Sequence, residues 1–342
     1  MDSLLTDAAA DLLDHACPPA LLRALLDPAA APPEPWQRIV DSGFLDALLP
    51  EAEGGAGLDL AGILPLLLAC GGHAMPLPVG ATILARAAFA RQGLTPPEGA
   101  IALASPLASP LASPLVSPLA QPLAAPSPAA LLPAPHLAAQ VLLCGTEGGA
   151  LLLPAAAARV TPLGGGLSRL DWDGAVAGRR LEDGADWRVA GAFLEAVEMA
   201  GALRRVLEDT LRYAGERRQF GRAIGAFQAI QQQLSVLAEE SAAGLIAAQL
   251  AATGPWPDPL RTAAAKIRLG QAAARAMAIA HAVHGAMGIT EEHDLHLFTL
   301  RLQRGRAAFG GEAFWSERLG RAALRETGDS LGFVRRCLDP VA

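Results

Sequence analysis

From residue 187 onward, apolar side chains recur three and four positions apart through four long, alanine-rich stretches, about 188–217, 225–253, 258–287 and 294–326. That period gathers them on one face of an α-helix, so four amphipathic helices are predicted. The last stretch carries a break signal at Gly310-Gly311. Asp258-Pro259 supplies an N-cap followed by a first-turn proline, a favourable start for the third helix. The intervening loops are short and alanines on facing sides allow close approach, which together predict an antiparallel four-helix bundle. Residues 1–95 read as shorter helices separated by Pro-rich joints, at 4–13, 20–26, 35–49, 58–70 and 79–91. Between the two regions, segments 138–144, 150–153, 158–162 and 167–172 read as short strands divided by Gly turns.

Residues 101–125 fit neither period. Ser-Pro-Leu-Ala recurs there with small changes from Ser105 to Gln121, and a proline at every fourth residue removes a backbone donor each turn and excludes a helix. A poorly paired edge strand, an exposed loop and partial disorder remain as readings. The chain is therefore expected to be mainly α. An N-terminal helical domain spans 1–98, a reduced central β domain with the low-complexity insert spans 99–186, and a C-terminal four-helix bundle spans 187–342.

Composition narrows this picture. With 342 residues, 52% hydrophobic and 18% charged, the chain has apolar mass for two or three cores and is not globally disordered. A net charge of -7 without any basic block argues against nucleic acid as a partner. Of the 27 Lys and Arg residues only Lys266 is a lysine, a compositional habit that carries no chemistry by itself. Cys17, Cys70, Cys144 and Cys337 stand apart from one another and from histidines at ligand spacing, which fits reduced thiols in a cytoplasmic protein. The N-terminal stretch is acidic where a secretory signal is basic, and the longest uncharged run is broken by Pro and Ser, so neither export nor a membrane is expected.

The chemistry concentrates at the joint between the first two bundle helices, where residues 212–228 read RYAGERRQFGRAIGAFQ. By spacing alone, Gly221 and Gly225 stop a helix and Arg217, Arg218, Gln219 and Phe220 lie in its last turn, where cations suit the negative end of the dipole. The whole string closely resembles the helix-turn-helix signature of the FAD-dependent acyl-CoA dehydrogenases. That resemblance implies that Arg217, Gln219, Phe220, Phe227 and Gln228 contact an FAD held mainly by a neighbouring subunit. A guanidinium is a natural partner for a pyrophosphate, and an aromatic ring can lie against an adenine or flavin edge.

A second stretch, residues 282–297, reads AVHGAMGITEEHDLHL and resembles the family pattern Gln-x-x-Gly-Gly-x-Gly-x-x-x-Glu. In relatives its glycines bring backbone amides to the FAD pyrophosphate of the partner subunit. Gly285 and Gly288 are retained, whereas Ala282 and Ala286 replace the leading Gln and the second Gly. Gly310 is the third glycine assigned to cofactor contact. The turn at 50–58, after Gly43-Phe44, matches an N-terminal segment of the family; with no strand before it and no Lys-Ser/Thr after it, it reads as a helix connection and not a phosphate cradle. His281, His284, His293 and His296 lack a third ligand at fixed spacing, so no metal site is expected.

The family's reaction is α,β-dehydrogenation of an acyl-CoA, in which a carboxylate takes a proton while the flavin accepts a hydride. Counted along the matching motif from Glu292, the usual base position falls on Phe309. In other relatives the base lies near the start of the first bundle helix, at about Gly191 here. Neither residue accepts a proton. Glu312 is the nearest substitute, and Glu195 and Glu198 read as surface charges. The central flavin-binding turns of the family, Thr-Glu-Pro-x-x-Gly-Ser-Asp and Trp-Ile-Thr/Ser, have no counterpart around Trp172 or Trp187. The resemblance thus implies a flavoprotein oxidoreductase subunit that acts on an acyl-CoA within a homo- or hetero-oligomer, a tetramer, and completes the FAD site of a homologous subunit. Electrons would pass to an electron-transfer flavoprotein or similar acceptor. Short relatives of this kind occur in bacterial breakdown of steroid side chains and other bulky acyl-CoAs. Two alternatives stay open: a self-sufficient homomeric dehydrogenase with Glu312 as base, and a non-enzymatic helical scaffold.

Overall fold

A computed structural model describes residues 3–18, 22–23, 34–107, 128–145, 149–164, 166–173, 176–290, 292–326 and 328–338. The predicted helix at 20–26 falls largely outside the described residues. Helices α1 (Ser3–Ala16), α2 (Glu34–Asp41), α3 (Leu60–Gly72) and α4 (Val79–Arg91) form the N-terminal part. Helix α3 is apolar nearly all round and buried nearly all round, with Leu60, Ile63, Leu64, Leu66, Leu67 and Cys70 in the core. Asp59 caps it by accepting from the Gly62 amide at 2.9 Å. The loop before it is closed on itself: the Gly57 amide donates to the Leu49 carbonyl at 2.8 Å and the Leu58 amide to Ala47 at 2.9 Å. With its amides spent internally, this glycine-rich turn is a helix connection.

Strands β1 (Ile101–Ala104), β3 (Gln140–Cys144), β4 (Ala150–Pro154) and β7 (Arg179–Leu181) make one sheet in the order β1-β3-β4-β7, with β1 and β3 parallel and the other pairs antiparallel. Strands β2 (Ala129–Pro133), β6 (Leu167–Asp171) and β5 (Arg159–Gly164) make an antiparallel second sheet in the order β2-β6-β5. Ile101, Leu103, Leu142 and Leu152 face the helical core, while Ala102, Val141, Leu143 and Leu153 meet Leu132, Leu170 and Trp172 of the other sheet. The first sheet is therefore covered on both faces, and its strands show apolar runs without alternation. Ile101–Ala104, read from sequence as the head of the low-complexity insert, is instead a strand, tied to α4 by the Ile101 amide donating to Thr82 Oγ1 at 2.9 Å. Residues 108–127 of the repeat lie outside the described residues.

The bundle comprises α5 (Trp187–Glu216), α6 (Gln228–Ala251), α7 (Pro259–His284) and a fourth element divided into α8 (Leu295–Ala307) and α9 (Glu312–Arg325), followed by α10 (Ser330–Leu338). The division falls at Gly310-Gly311, as the sequence signals. Asp258 accepts from the Leu260 and Arg261 amides, both at 2.9 Å, and Pro259 opens α7. Where α3 crosses α5 the two backbones touch. A Cβ on Gly71 would lie 1.9 Å from the Glu198 carbonyl oxygen, and one on Gly201 would lie 1.9 Å from that of Leu68. Two facing glycines permit this crossing, and a methyl at either would push the helices apart. Helix α6 is poorly covered for so apolar a helix. Val236 is 39% and Ile246 is 56% exposed, and only 33% of its most apolar window is buried. Among the described residues it is the one helix long and apolar enough to cross a bilayer by length and composition.

Candidate functional site

Helix α5 ends at Glu216, within one residue of the boundary read from its apolar period and one turn before the stop expected at Gly221. Arg217 caps it in an extended conformation, and Arg218–Gln219 (β8) pair with Arg222–Ala223 (β9) as a two-stranded hairpin. Arg217, Arg218, Gln219 and Phe220 are therefore not in a helical turn, and Gly221 closes a hairpin and does not stop the helix. The cause is local. Phe220 and Gly221 both have positive φ, 49° and 82°, the combination a two-residue primed turn requires. Phe220 sits at the tip, 91% exposed. Its ring meets Phe227 edge-on at 6.2 Å, and the Arg222 guanidinium lies 4.0 Å over the Phe227 ring. Arg217 and Arg218 form no ion pair among the described residues, and Gln219 and Gln228 are exposed beside them. Unneutralised guanidinium groups next to presented aromatic rings suit an anion joined to a flat ring system.

Tyr213 couples this hairpin to the end of α7. Its ring stacks on His284 at 4.3 Å and its hydroxyl donates to the His284 carbonyl at 3.3 Å, while His293 meets His284 edge-on at 4.7 Å. Burial holds the His284 imidazole below its ordinary pKa, against the upward pull of its bond to the Ala280 carbonyl. The next residue, Gly285, has φ 59° and ψ -140°, a conformation that a side chain rarely tolerates, and no atom lies within 4 Å of where a Cβ would project. Gly288 differs. It is buried, and its Cβ would come within 2.9 Å of the His284 Cβ, so its smallness serves packing. A glycine beside open space and a cationic, aromatic hairpin, held together through Tyr213, fit the pyrophosphate and rings of a dinucleotide such as FAD. Among the described residues no group of three or more His, Cys, Asp or Glu is arranged to hold a metal.

The other end of α5 is roughly 40 Å from the hairpin at about 1.5 Å rise per residue. There a Cβ on Gly191 would fall 2.5 Å from Phe309 ring atoms. The two positions at which the resemblance puts a catalytic base are thus one place in space, filled by an aromatic ring. Phe309, half-buried, packs against the buried cluster of Val189, Ala192, Ala263 and Trp315. Gly310 belongs to this end: its carbonyl accepts from Trp315 Nε1 at 3.1 Å, so it is separated from the hairpin and Gly285 by the length of the bundle. Glu312 is bound by Arg306 at 2.7 Å. Burial would raise its pKa, but its own backbone amide and Arg306 leave it below the ordinary carboxylate value.

Two functional-looking features of this end are hidden in the sequence. Glu195 and Glu198 are not surface charges: they grip Arg301 at 2.6 and 2.5 Å with side-chain exposures of 20% and 16%. Burial and the neighbouring Glu195 push the Glu198 pKa up against the pull of Arg301. Lys266 is buried too. Its Nζ donates to the Gly305 and Arg306 carbonyls in the last turn of α8, and burial pushes its pKa down to about 8. The sequence marks Lys266 only by its rarity.

Compared with known proteins, residues 190–324 match the family model of the acyl-CoA dehydrogenase C-terminal domain. The acyl-CoA dehydrogenase IpdE2 of Mycobacterium tuberculosis is 39% identical over 110 residues, 32% of this chain and 34% of that relative, so this match spans about a third of the relative's length. The acyl-CoA dehydrogenase FadE27 of the same organism is 28% identical over 96% of this chain and 100% of its own length. In fold, the chain superposes on the crystal structure of the ChsE4-ChsE5 complex from Mycobacterium tuberculosis with a TM-score of 0.75 at 22% identity, covering 96% of this chain and 98% of that one.

Proposed function

We propose that this chain, a member of the acyl-CoA dehydrogenase family, works as a subunit that completes the FAD site of a homologous partner and leaves proton removal to that partner. The observation that carries this reading is the separation of parts along α5. Its exposed hairpin offers cofactor contacts at one end, while Gly191 and Phe309 meet at the other end with no ionisable group between them. A hairpin roughly 40 Å away along the helix serves a different molecule's reaction centre more readily than its own.

Arg217, Gln219, Phe220, Phe227, Gln228 and Gly285 would hold the cofactor. Arg217 supplies charge to a pyrophosphate, Phe220 and Phe227 supply flat apolar surface, and Gly285 leaves room for close approach. FAD, when bound, supplies the hydride acceptor for dehydrogenation of an acyl-CoA. The nearby carboxylates of this chain are already engaged, Glu312 by Arg306 and Glu195 and Glu198 by Arg301. Using Glu312 as base would mean breaking its ion pair and raising a pKa that the site holds low. The uncovered apolar face of α6 supports an assembly, because a partner subunit would remove Val236 and Ile246 from water.

The test is expression alone and together with a homologous full-length subunit. The chain alone should hold little flavin and turn over no acyl-CoA, and co-expression should yield both. Stoichiometric FAD and turnover from the isolated chain would end this reading. Glu312→Gln in the co-expressed assembly should leave kcat unchanged, and its loss would restore Glu312 as the base.

A further inference from the structure

The turn between α8 and α9 is fastened far more heavily than a connection of its length needs. Lys266 holds the Gly305 and Arg306 carbonyls that lead into it, the Ala308 amide donates back to Arg304 at 2.9 Å, Trp315 Nε1 holds the Gly310 carbonyl, and the Arg306–Glu312 ion pair ties one side to the other. What these bonds hold in place is Phe309 at φ 55°, a strained conformation for an aromatic residue that persists only where the surroundings impose it. The ring is pressed against Gly191, where any Cβ would collide with it at 2.5 Å.

We infer that Phe309 is a stopper, fixed by this bracing over Gly191, and that its ring fills the place at which the resemblance puts the base and so denies it to the acyl part of a thioester substrate. The inference rests on the proposed function, since it gives the physical reason why this subunit's own centre is silent: its acyl space is filled as well as lacking a base. It also assigns Gly191 a reason. The residue is glycine because the ring occupies its side-chain volume, and the two positions can only change together.

A double-mutant cycle and a titration on the full chain test this. Phe309→Gly removes the ring and relieves the positive φ, so it is the variant best placed to fold. Gly191→Ala alone should lower the thermal midpoint by several degrees, and the same change in a Phe309→Gly background should cost less than half as much. Equal costs in both backgrounds would overturn the paired fit. Octanoyl-CoA titrated calorimetrically should give no binding heat with the wild-type chain and a saturable signal with Phe309→Gly. A folded but silent Phe309→Gly chain overturns the stopper and leaves the partner-subunit reading untouched. Flavin-loaded turnover by the wild-type chain alone overturns both. Should Phe309→Gly not fold, Phe309→Leu is titrated in its place, with a weaker saturable signal expected and its absence counting against the stopper.

Discussion

The two ends of α5 are built from the same local parts and put them to opposite uses. At one end Phe220 (φ 49°) precedes Gly221 (φ 82°); at the other Phe309 (φ 55°) precedes Gly310 (φ 105°). Each phenylalanine is held in a conformation unfavourable to it. Phe220 is 91% exposed on a hairpin whose arginines form no ion pair among the described residues, whereas Phe309 is pressed on Gly191 and packed on apolar side chains. The same strained Phe-Gly unit presents a ring to solvent in one setting and shuts a space in the other. What the ring meets decides its role, and the backbone conformation alone does not.

The comparison implies that the closed end carries stability and the open end carries recognition, which can be broken by mutation. The largest effect is expected from Arg301→Met, which would strand Glu195 and Glu198 as buried, unpaired charges. A loss of about 3–5 kcal/mol in urea denaturation is expected, and a loss below about 1 kcal/mol would show the triad to be hydrated. Next is the pH dependence that Lys266 confers. Its folded pKa of about 8 lies below the ordinary 10.5, so between those values the unfolded chain binds the extra proton. The penalty of burying the charge is full below pH 8 and is relieved as pH rises towards 10.5. Relative to Lys266→Met, the wild type should therefore gain roughly 3 kcal/mol across that window. The comparison must be a difference, because Cys17 and Cys144, pushed up to about 11 and about 12 by burial, lose stability as pH rises through the thiol range.

Lys266→Arg should cost about 1–3 kcal/mol, since a larger planar head must fit where a compact ammonium donates to two carbonyls. Near-wild-type stability would mean that the cage is loose. The smallest stability effect is expected at the open end. Phe220→Ala should stay within about 0.5 kcal/mol yet strip FAD from the co-expressed assembly, read as the flavin-to-protein absorbance ratio. Unchanged flavin content would remove the hairpin from the cofactor site.

The long helices were legible because their apolar period and their caps agree, as Asp258-Pro259 shows. The first sheet was half legible. Strands β3 and β4 stand out as apolar runs, but β1 borders the proline repeat and β7 is three residues long with two exposed arginines. At the hairpin the residue types marked a joint between two helices but pointed to the wrong conformation, because helix continuation and a primed turn compete for the same arginines. The Glu195–Arg301 contact joins residues 106 apart in sequence, and no local pattern reports it. The meeting of Gly191 with Phe309 is likewise a product of helix packing: each position was found by motif, and their coincidence needed three dimensions.

Lys266 has a practical consequence for dissecting any complex this chain enters. With its only lysine 2% exposed and hydrogen-bonded to the end of α8, the chain shows amine-selective reagents almost no side chain to attack. In a mixed assembly, a lysine-to-lysine tether would report the geometry of the companion protein alone. Mapping the boundary from this side calls for chemistry aimed at carboxylates or arginines, which its surface offers in abundance.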